Sequence, residues 1–150
     1  MYKVTPRTLV KHYRWYNYFM QIRTVTLADY DNLIAFWKEN YFVGDMDELK
    51  YFTLFLTKNP NLSILIEEDN EIIGTALVSY DGRRGYLQKV VTKKDLRGNG
   101  IGKRLVTESI KKLKETGVKY IPLSAETELV NFYEKCGFIK KDSISMSIDL

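Results

Sequence analysis

A glycine-rich stretch at residues 95–102 is the part of this 150-residue chain best suited to chemistry. It reads Asp-Leu-Arg-Gly-Asn-Gly-Ile-Gly and separates a predicted strand from a predicted helix. The first backbone N–H groups of a helix have no acceptor within it, and the helix dipole adds partial positive charge there, so such a junction binds anions. Because Gly98, Gly100 and Gly102 lack a Cβ, the loop can direct several N–H groups at one diphosphate, and Arg97 adds a cation.

Two common nucleotide-binding motifs do not fit this stretch. The nucleoside-triphosphate loop requires a glycine where this chain has Arg97, and a serine or threonine where it has Arg104. The dinucleotide fingerprint requires a further glycine, and the corresponding positions hold Lys103 or Leu105. What remains is the pattern Arg-x-x-Gly-x-Gly over residues 97–102, which on its own can also be a purely structural connection.

The surrounding sequence predicts one mixed-sheet α/β domain that positions this loop. Alternating and β-branched runs predict strands at residues 21–25, 62–67, 71–80, 86–92, 118–124 and 144–148. Apolar residues at helical spacing predict helices at residues 27–40, 46–56, 101–113 and 129–136. Thr26 and Asp45 are the predicted caps at the starts of the first two helices, and Gly117 and Gly137 are predicted to end the last two. We find no internal repeat and no linker.

Composition sets the remaining limits. The chain is 45% hydrophobic and 28% charged, with a formal net charge of +4, and no run is apolar enough for a membrane span or a secretory signal, so we expect a cytoplasmic protein without membrane association. Cys136 is the only cysteine and His12 the only histidine, which argues against an internal disulfide and a metal site. No motif for nucleic-acid recognition is present, so nucleic acid is not an expected partner. Residues 1–20 have irregular spacing and are expected to be an amino-terminal extension, with the single domain at residues 21–150.

Two segments together resemble the GNAT acetyltransferases. Residues 97–102 match (Gln/Arg)-x-x-Gly-x-(Gly/Ala), the family's coenzyme A signature between a strand and a helix. Residues 131–138, Asn-Phe-Tyr-Glu-Lys-Cys-Gly-Phe, are similar to its carboxy-terminal signature, in which an Asn precedes a Tyr on a short helix that ends at Gly-Phe. The resemblance implies the GNAT fold: a central mixed, mostly antiparallel, twisted sheet flanked by about four helices, with splayed central strands.

The resemblance also implies acetyl-CoA as co-substrate, without a metal, and a primary amine of a small molecule or protein as acceptor. The strand before the signature would bind the pantetheine arm as an added strand would. The residues implied to contact the coenzyme are Val90, Val91, Thr92, Arg97, Gly98, Asn99, Gly100, Ile101, Gly102, Lys103 and Asn131. Tyr133 is the implied general acid, which protonates the departing thiolate. A tyrosine in a short amphipathic helix can also be a core residue, and that interpretation stays open.

The base that deprotonates the amine is left open. An amine of lysine type has a pKa near 10 and must lose a proton before it attacks. Glu126 and Glu128 are the nearest acidic candidates, and an ordered water that relays the proton is an equal alternative. A backbone N–H near Val90 would stabilise the oxyanion. Four aromatic residues could form an acceptor pocket or pack in the core: Tyr41, Phe42, Tyr51 and Phe55.

Two classes of function therefore remain. The first is an N-acetyltransferase, monomeric or homodimeric, in which the amine attacks the thioester directly. The alternative is a non-catalytic module of GNAT fold that binds acyl-CoA as a sensor or interaction partner. The signature loop and Tyr133 favour catalysis, whereas the lack of an obvious base keeps the alternative open.

Overall fold

Four β-strands form one antiparallel sheet in the computed structural model, which describes residues 20–150. The strands are β1 (Gln21–Thr24), β2 (Ile64–Glu68), β3 (Glu71–Tyr80) and β4 (Gly85–Thr92), and they lie in that order across the sheet. These are the first four strands that the sequence predicts. The predicted extension at residues 1–20 lies outside the described residues except for Met20.

Four α-helices accompany the sheet within residues 20–150: α1 (Tyr30–Asn40), α2 (Leu49–Lys58), α3 (Ile101–Glu115) and α4 (Val130–Lys135). A short turn of 3-10 helix precedes each of them, so α1 begins at Tyr30 instead of at Leu27 as predicted. Thr26 does cap this start, because Thr26 and Asp29 form a reciprocal capping box. No helix in this part of the chain is long and apolar enough to cross a bilayer.

The sheet is covered on both faces, and each face has its own apolar cluster. On one face, α1 and α2 contribute Leu33, Trp37 and Phe52, which pack on the sheet around Leu65 and Leu77. On the other face, α3 contributes the buried side chains Ile101, Leu105, Val106 and Leu113, and side chains of α4 pack against the same cluster. The mostly antiparallel sheet flanked by helices on both faces confirms the predicted fold class.

A β-bulge interrupts β4 where the sheet approaches α1. Thr75 lies opposite Val91 and Leu77 opposite Gln88, so Lys89 and Val90 together face Ala76. Lys89 takes a positive φ of 47°, which is uncommon for a residue with a side chain. Because the extra residue reverses the alternation, Val90 packs with the α3 cluster while Val91 packs with the α1 cluster.

Two predicted strands, residues 118–124 and 144–148, are not strands in the structure. A strand requires a ladder of backbone hydrogen bonds to a neighbour, and the first segment has one such bond to the sheet, from the Gly85 N–H to the Tyr120 carbonyl (3.1 Å). In the second segment the alternating apolar side chains do not form a buried face. Their exposed fractions are 89% for Ile144, 91% for Met146 and 80% for Ile148.

Candidate functional site

A cavity of about 670 Å³ lies where the end of β4 meets the start of α3. Most of its lining comes from residues that the sequence predicts as coenzyme contacts: Val90, Val91, Thr92, Arg97, Gly98, Gly100, Ile101, Gly102 and Lys103. The structure adds Tyr41, Glu126, Leu129, Phe132, Lys135 and Cys136. The cavity is therefore bounded by a strand end, a helix start and the short helix α4.

The start of α3 has the geometry of an anion site. Gly100 is the N-cap residue in left-handed conformation (φ 84°), and no side chain caps the helix. Gly98 is also left-handed (φ 82°), and a Cβ added at Gly98 or Gly100 would meet no protein atom within 4 Å. The uncapped start of α3 lines the cavity through Gly100, Ile101 and Gly102. An anion bound there would supply the acceptors that uncapped N–H groups need.

The Arg97 side chain is braced against the protein. Its Nη2 donates to the Asn40 carbonyl at the end of α1 (2.7 Å), and its Nε donates to the Thr92 carbonyl (3.4 Å). The guanidinium therefore fixes the loop to two neighbouring elements as well as adding positive charge to the lining. Asn99 does not line the cavity, because its side-chain amide donates to the Leu96 carbonyl (3.0 Å) and holds the turn.

Helix α4 closes the cavity from the opposite side. A Cβ at Gly102 would approach the ring of Phe132 to 3.2 Å, so the absence of a side chain at Gly102 lets α4 pack against α3. Asn131 is exposed and is not part of the lining. The sequence therefore identifies the helix that closes the site, whereas the residues of this helix that line the cavity are Phe132 and Lys135.

Tyr133 is half-buried behind this wall. Its ring packs edge-on against Phe132 (4.9 Å between centroids) and Phe138 (5.7 Å), and it is not among the residues that line the cavity. Burial raises the pKa of the Tyr133 hydroxyl, with smaller contributions from Cys136 and Tyr41. Both of those neighbours line the cavity, whereas Tyr133 itself does not.

The structure separates the remaining candidates. Glu126 lines the cavity, whereas Glu128 does not. Of the four aromatic residues predicted for an acceptor pocket, Tyr41 lines the cavity. The Phe42 ring packs at a tilt against the Tyr41 ring, with 4.6 Å between the ring centroids. Phe55 packs with the α1 cluster, as a core residue would.

A polar network supports the bulge in β4, and the sequence does not predict it. The Trp37 indole donates to the Thr75 hydroxyl (3.0 Å), which in turn donates to the Lys89 carbonyl (3.0 Å). The Lys89 ammonium donates to Asp47 (2.7 Å) and to the Phe42 carbonyl (2.8 Å). Lys89 therefore connects the bulge to the loop between α1 and α2. Because its partner lies 42 residues away in the chain, no local spacing signals the pair.

The sheet, the glycine loop and the uncapped helix start define an α/β protein with a cavity at the end of its edge strand β4. The family model described as the acetyltransferase (GNAT) family matches residues 26–138. The chain therefore belongs to the GNAT acetyltransferase family, which supports acyl transfer as its general activity.

Individual relatives agree with this assignment. An acetyltransferase of Pectobacterium atrosepticum is 27% identical over 131 residues, which cover 85% of this chain and 93% of the relative. The crystal structure of a predicted acetyltransferase from Clostridium acetobutylicum, solved with acetyl-CoA, is 27% identical with a TM-score of 0.71 and covers 86% of this chain and 96% of that one. An N-acetyltransferase of Thermoplasma acidophilum, solved with coenzyme A, has the same fold at 18% identity, with a TM-score of 0.69 and coverage of 83% and 92%.

Proposed function

We propose that the protein is an acetyl-CoA-dependent N-acetyltransferase that acts on a primary amine. The observation that carries this proposal is the cavity that joins the free end of β4 to the uncapped start of α3. Family membership supports the acyl-CoA co-substrate, and the solved relative from Clostridium acetobutylicum contains acetyl-CoA.

The proposed coenzyme site has three parts. The first N–H groups of α3, beside Gly100 and Gly102, hold the diphosphate. Lys103 and Lys135 line the same cavity and supply positive charge for the phosphate groups. Val90–Thr92, at the end of β4, offer backbone groups to the pantetheine arm in the manner of an added strand. The predicted contacts of Asn99 and Asn131 receive less support, since neither residue lines the cavity.

In the proposed reaction, acetyl-CoA supplies a thioester as the acyl donor. The amine nitrogen bonds to the carbonyl carbon and the carbon–sulfur bond breaks. Tyr133 is the proposed donor of a proton to the departing sulfur, and its raised pKa keeps the hydroxyl protonated at neutral pH. Because Tyr133 does not line the cavity, this role rests on the family resemblance and has less support than the coenzyme contacts. The backbone N–H of Val90, next to the bulge, is the proposed donor to the developing oxyanion.

The acceptor is proposed to enter between Tyr41 and Glu126. Both residues line the cavity, and an aromatic ring with a carboxylate nearby attracts an ammonium group before it is deprotonated. Of the two acids that the sequence offers as base, Glu126 is the better positioned. An ordered water that passes the amine proton to Glu126 or to a backbone carbonyl fits the same arrangement.

A thiol-release assay tests the proposal. Purified protein is incubated with acetyl-CoA and a panel of spermidine, amino acids, an aminoglycoside and a peptide with a free amino-terminus, and acetylated product is verified by mass spectrometry. We expect amine-dependent release of thiol with at least one member. Binding of coenzyme A without turnover of any amine would contradict catalysis and support the sensor alternative, and absence of binding would contradict the proposed site.

A further inference from the structure

Asn40, the last residue of α1, has all of its side-chain hydrogen-bonding groups directed at the protein interior. Only 2% of the residue is exposed. Its amide nitrogen donates to the Phe36 carbonyl (2.9 Å), and its amide oxygen accepts the backbone N–H of Lys94 (2.8 Å). Its own backbone carbonyl accepts the Arg97 guanidinium (2.7 Å). One residue thus binds the loop of residues 93–97 at two points, at the first residue of the turn Lys94–Leu96 and directly after that turn.

The position of Asn40 in the chain gives these bonds a second consequence. The next residue, Tyr41, lines the cavity, and so does Arg97. Under the proposed function, Tyr41 bounds the acceptor side and Arg97 the coenzyme side. These two residues define two walls of the cavity, the Tyr41 wall and the Arg97 wall. The walls come from distant segments of the chain, since Asn40 is 54 residues from Lys94 and 57 residues from Arg97. A displacement of Asn40 would therefore move both walls.

We infer that Asn40 is a positioning residue for the coenzyme site: it holds the loop of residues 93–97 in the conformation that presents the start of α3 to the diphosphate, and it couples this loop to the Tyr41 wall. The inference rests on the proposed function, since it assumes that coenzyme A binds at α3. Asn40 does not touch the cavity itself, and its effect is transmitted through the Lys94 N–H and the Arg97 side chain.

The chain contains a matched control at the end of the next helix. Asn59 follows α2, is 8% exposed, donates to the Phe55 carbonyl (3.1 Å) and accepts the backbone N–H of Tyr80 (2.8 Å). The Asn59 side chain makes the same two kinds of hydrogen bond as the Asn40 side chain: it donates to the carbonyl four residues earlier, and it accepts a backbone N–H from a distant part of the chain. Its distant partner lies at the end of β3, however, and does not line the cavity. Substitution of Asn59 therefore measures the loss of stability that results from removing an asparagine with these hydrogen bonds, separately from any effect on the cavity.

The experiment compares the variants Asn40→Ala and Asn59→Ala with the wild type by calorimetric titration with coenzyme A and by urea unfolding. Both substitutions leave a part-buried backbone N–H without its protein acceptor, so we expect similar losses of stability. Only Asn40→Ala is expected to weaken coenzyme A binding, by about tenfold or more. Equal affinities in the two variants would overturn the inference, while a wild type that does not bind coenzyme A would contradict the proposed function instead.

Hydrogen exchange of the wild type keeps the test decisive if Asn40→Ala does not fold. Amide exchange is measured by mass spectrometry with and without coenzyme A. We expect the coenzyme to slow exchange in residues 93–100 and also in residues 38–42, with no change around Asn59. Protection confined to residues 93–100 would show that Asn40 does not couple the two walls.

Discussion

At the scale of single residues, the proposed chemistry depends on a tyrosine hydroxyl behind the cavity wall. Tyr133→Phe removes the proton donor but keeps the ring that packs against Phe132 and Phe138. We therefore expect kcat to fall by about a hundredfold or more, which is the usual contribution of a general acid, while coenzyme A affinity stays within about twofold. Steady-state kinetics and a binding titration measure the two effects separately.

The pH dependence provides the control for this assignment. The pKa of a free tyrosine is 10.0, and burial raises that of Tyr133 above it. A general acid is active while protonated, so the alkaline decline in kcat that is due to Tyr133 should have its midpoint above pH 10. The wild type is expected to keep the full contribution of Tyr133 around neutral pH. Turnover of the Tyr133→Phe variant equal to that of the wild type would remove this residue from the mechanism.

Single residues were also the hardest feature to infer from sequence. The motifs predict Arg97 as a free cation for the phosphates, but its guanidinium also binds the carbonyls of Asn40 and Thr92. Asn40 lies 57 residues from Arg97, and Asp47 lies 42 residues from Lys89, so these contacts depend on how the helices pack on the sheet. Only the folded structure brings such residues together.

At the scale of elements, the glycine loop and the start of α3 form the critical junction. Gly100 has a φ of 84°, a Cβ added there would meet no protein atom within 4 Å, and the residue lines the cavity. Gly100→Val would place branched carbon atoms in the region proposed for the diphosphate and would strain the left-handed backbone by about 1–2 kcal/mol. We expect coenzyme A binding to be lost to below about one hundredth of the wild-type affinity, as measured by titration.

The other end of the same helix supplies the control for this loop. Gly117 follows α3 with a φ of 83°, and a Cβ there also meets nothing within 4 Å. Gly117→Val should therefore cause a similar loss of stability without a loss of coenzyme affinity. If both variants bind coenzyme A equally well, the diphosphate does not lie at the start of α3.

Elements with strong local signals were predictable, and those that depend on pairing were not. The periodic apolar pattern predicts α1, α2, α3 and α4. The turn pairs Asp69–Asn70 and Asp81–Gly82 in the sequence separate β2, β3 and β4, because such signals are local. The bulge at Lys89 has no local signal, since it is stabilised by Thr75 and Trp37 from other elements. The alternation of residues 144–148 predicts a strand, but its apolar side chains are exposed and the segment has no ladder.

At the scale of the whole molecule, the site lies where both layers of the fold meet. Tyr41 arrives from the layer of α1 and α2, whereas Gly100, Phe132 and Lys135 arrive from the layer of α3 and α4. The end of β4 lies between them. Because the two layers contact each other through the sheet and through the bonds of Asn40, the stability of the first layer is a condition for the shape of the cavity.

An ion network fixes the first layer to the edge of the sheet. The Arg23 guanidinium, on β1, donates to Asp29 at the start of α1 (2.7 and 2.9 Å) and to Glu67 on β2. Asp29 also accepts the backbone N–H of Thr26 (2.8 Å). The hydrogen bonds from Arg23 are the main reason that the pKa of Asp29 lies below its ordinary value of 3.8. Asp29 therefore stabilises the fold in its ionised form.

A lowered pKa in the folded state gives a definite pH dependence. The stabilisation from Asp29 is complete above its unfolded-state pKa of 3.8 and is lost as the pH falls from there through the lower folded-state pKa. Asp29→Asn should thus lower the free energy of unfolding by about 2 kcal/mol at pH 7, because it removes hydrogen bonds to a charged partner. Below about pH 3 the difference between variant and wild type should shrink.

Urea unfolding of the two proteins between pH 7 and pH 2.5 measures this difference directly. Asp31→Asn is the matched control, since Asp31 is an exposed acid in the first turn of the same helix. We expect that control to change stability by less than about 0.5 kcal/mol, as surface substitutions usually do, across the whole range. A constant gap between Asp29→Asn and the wild type at every pH would mean that the ionised carboxylate does not secure α1 to the sheet. The Tyr41 side of the cavity would then depend on apolar packing and on the hydrogen bonds of Asn40.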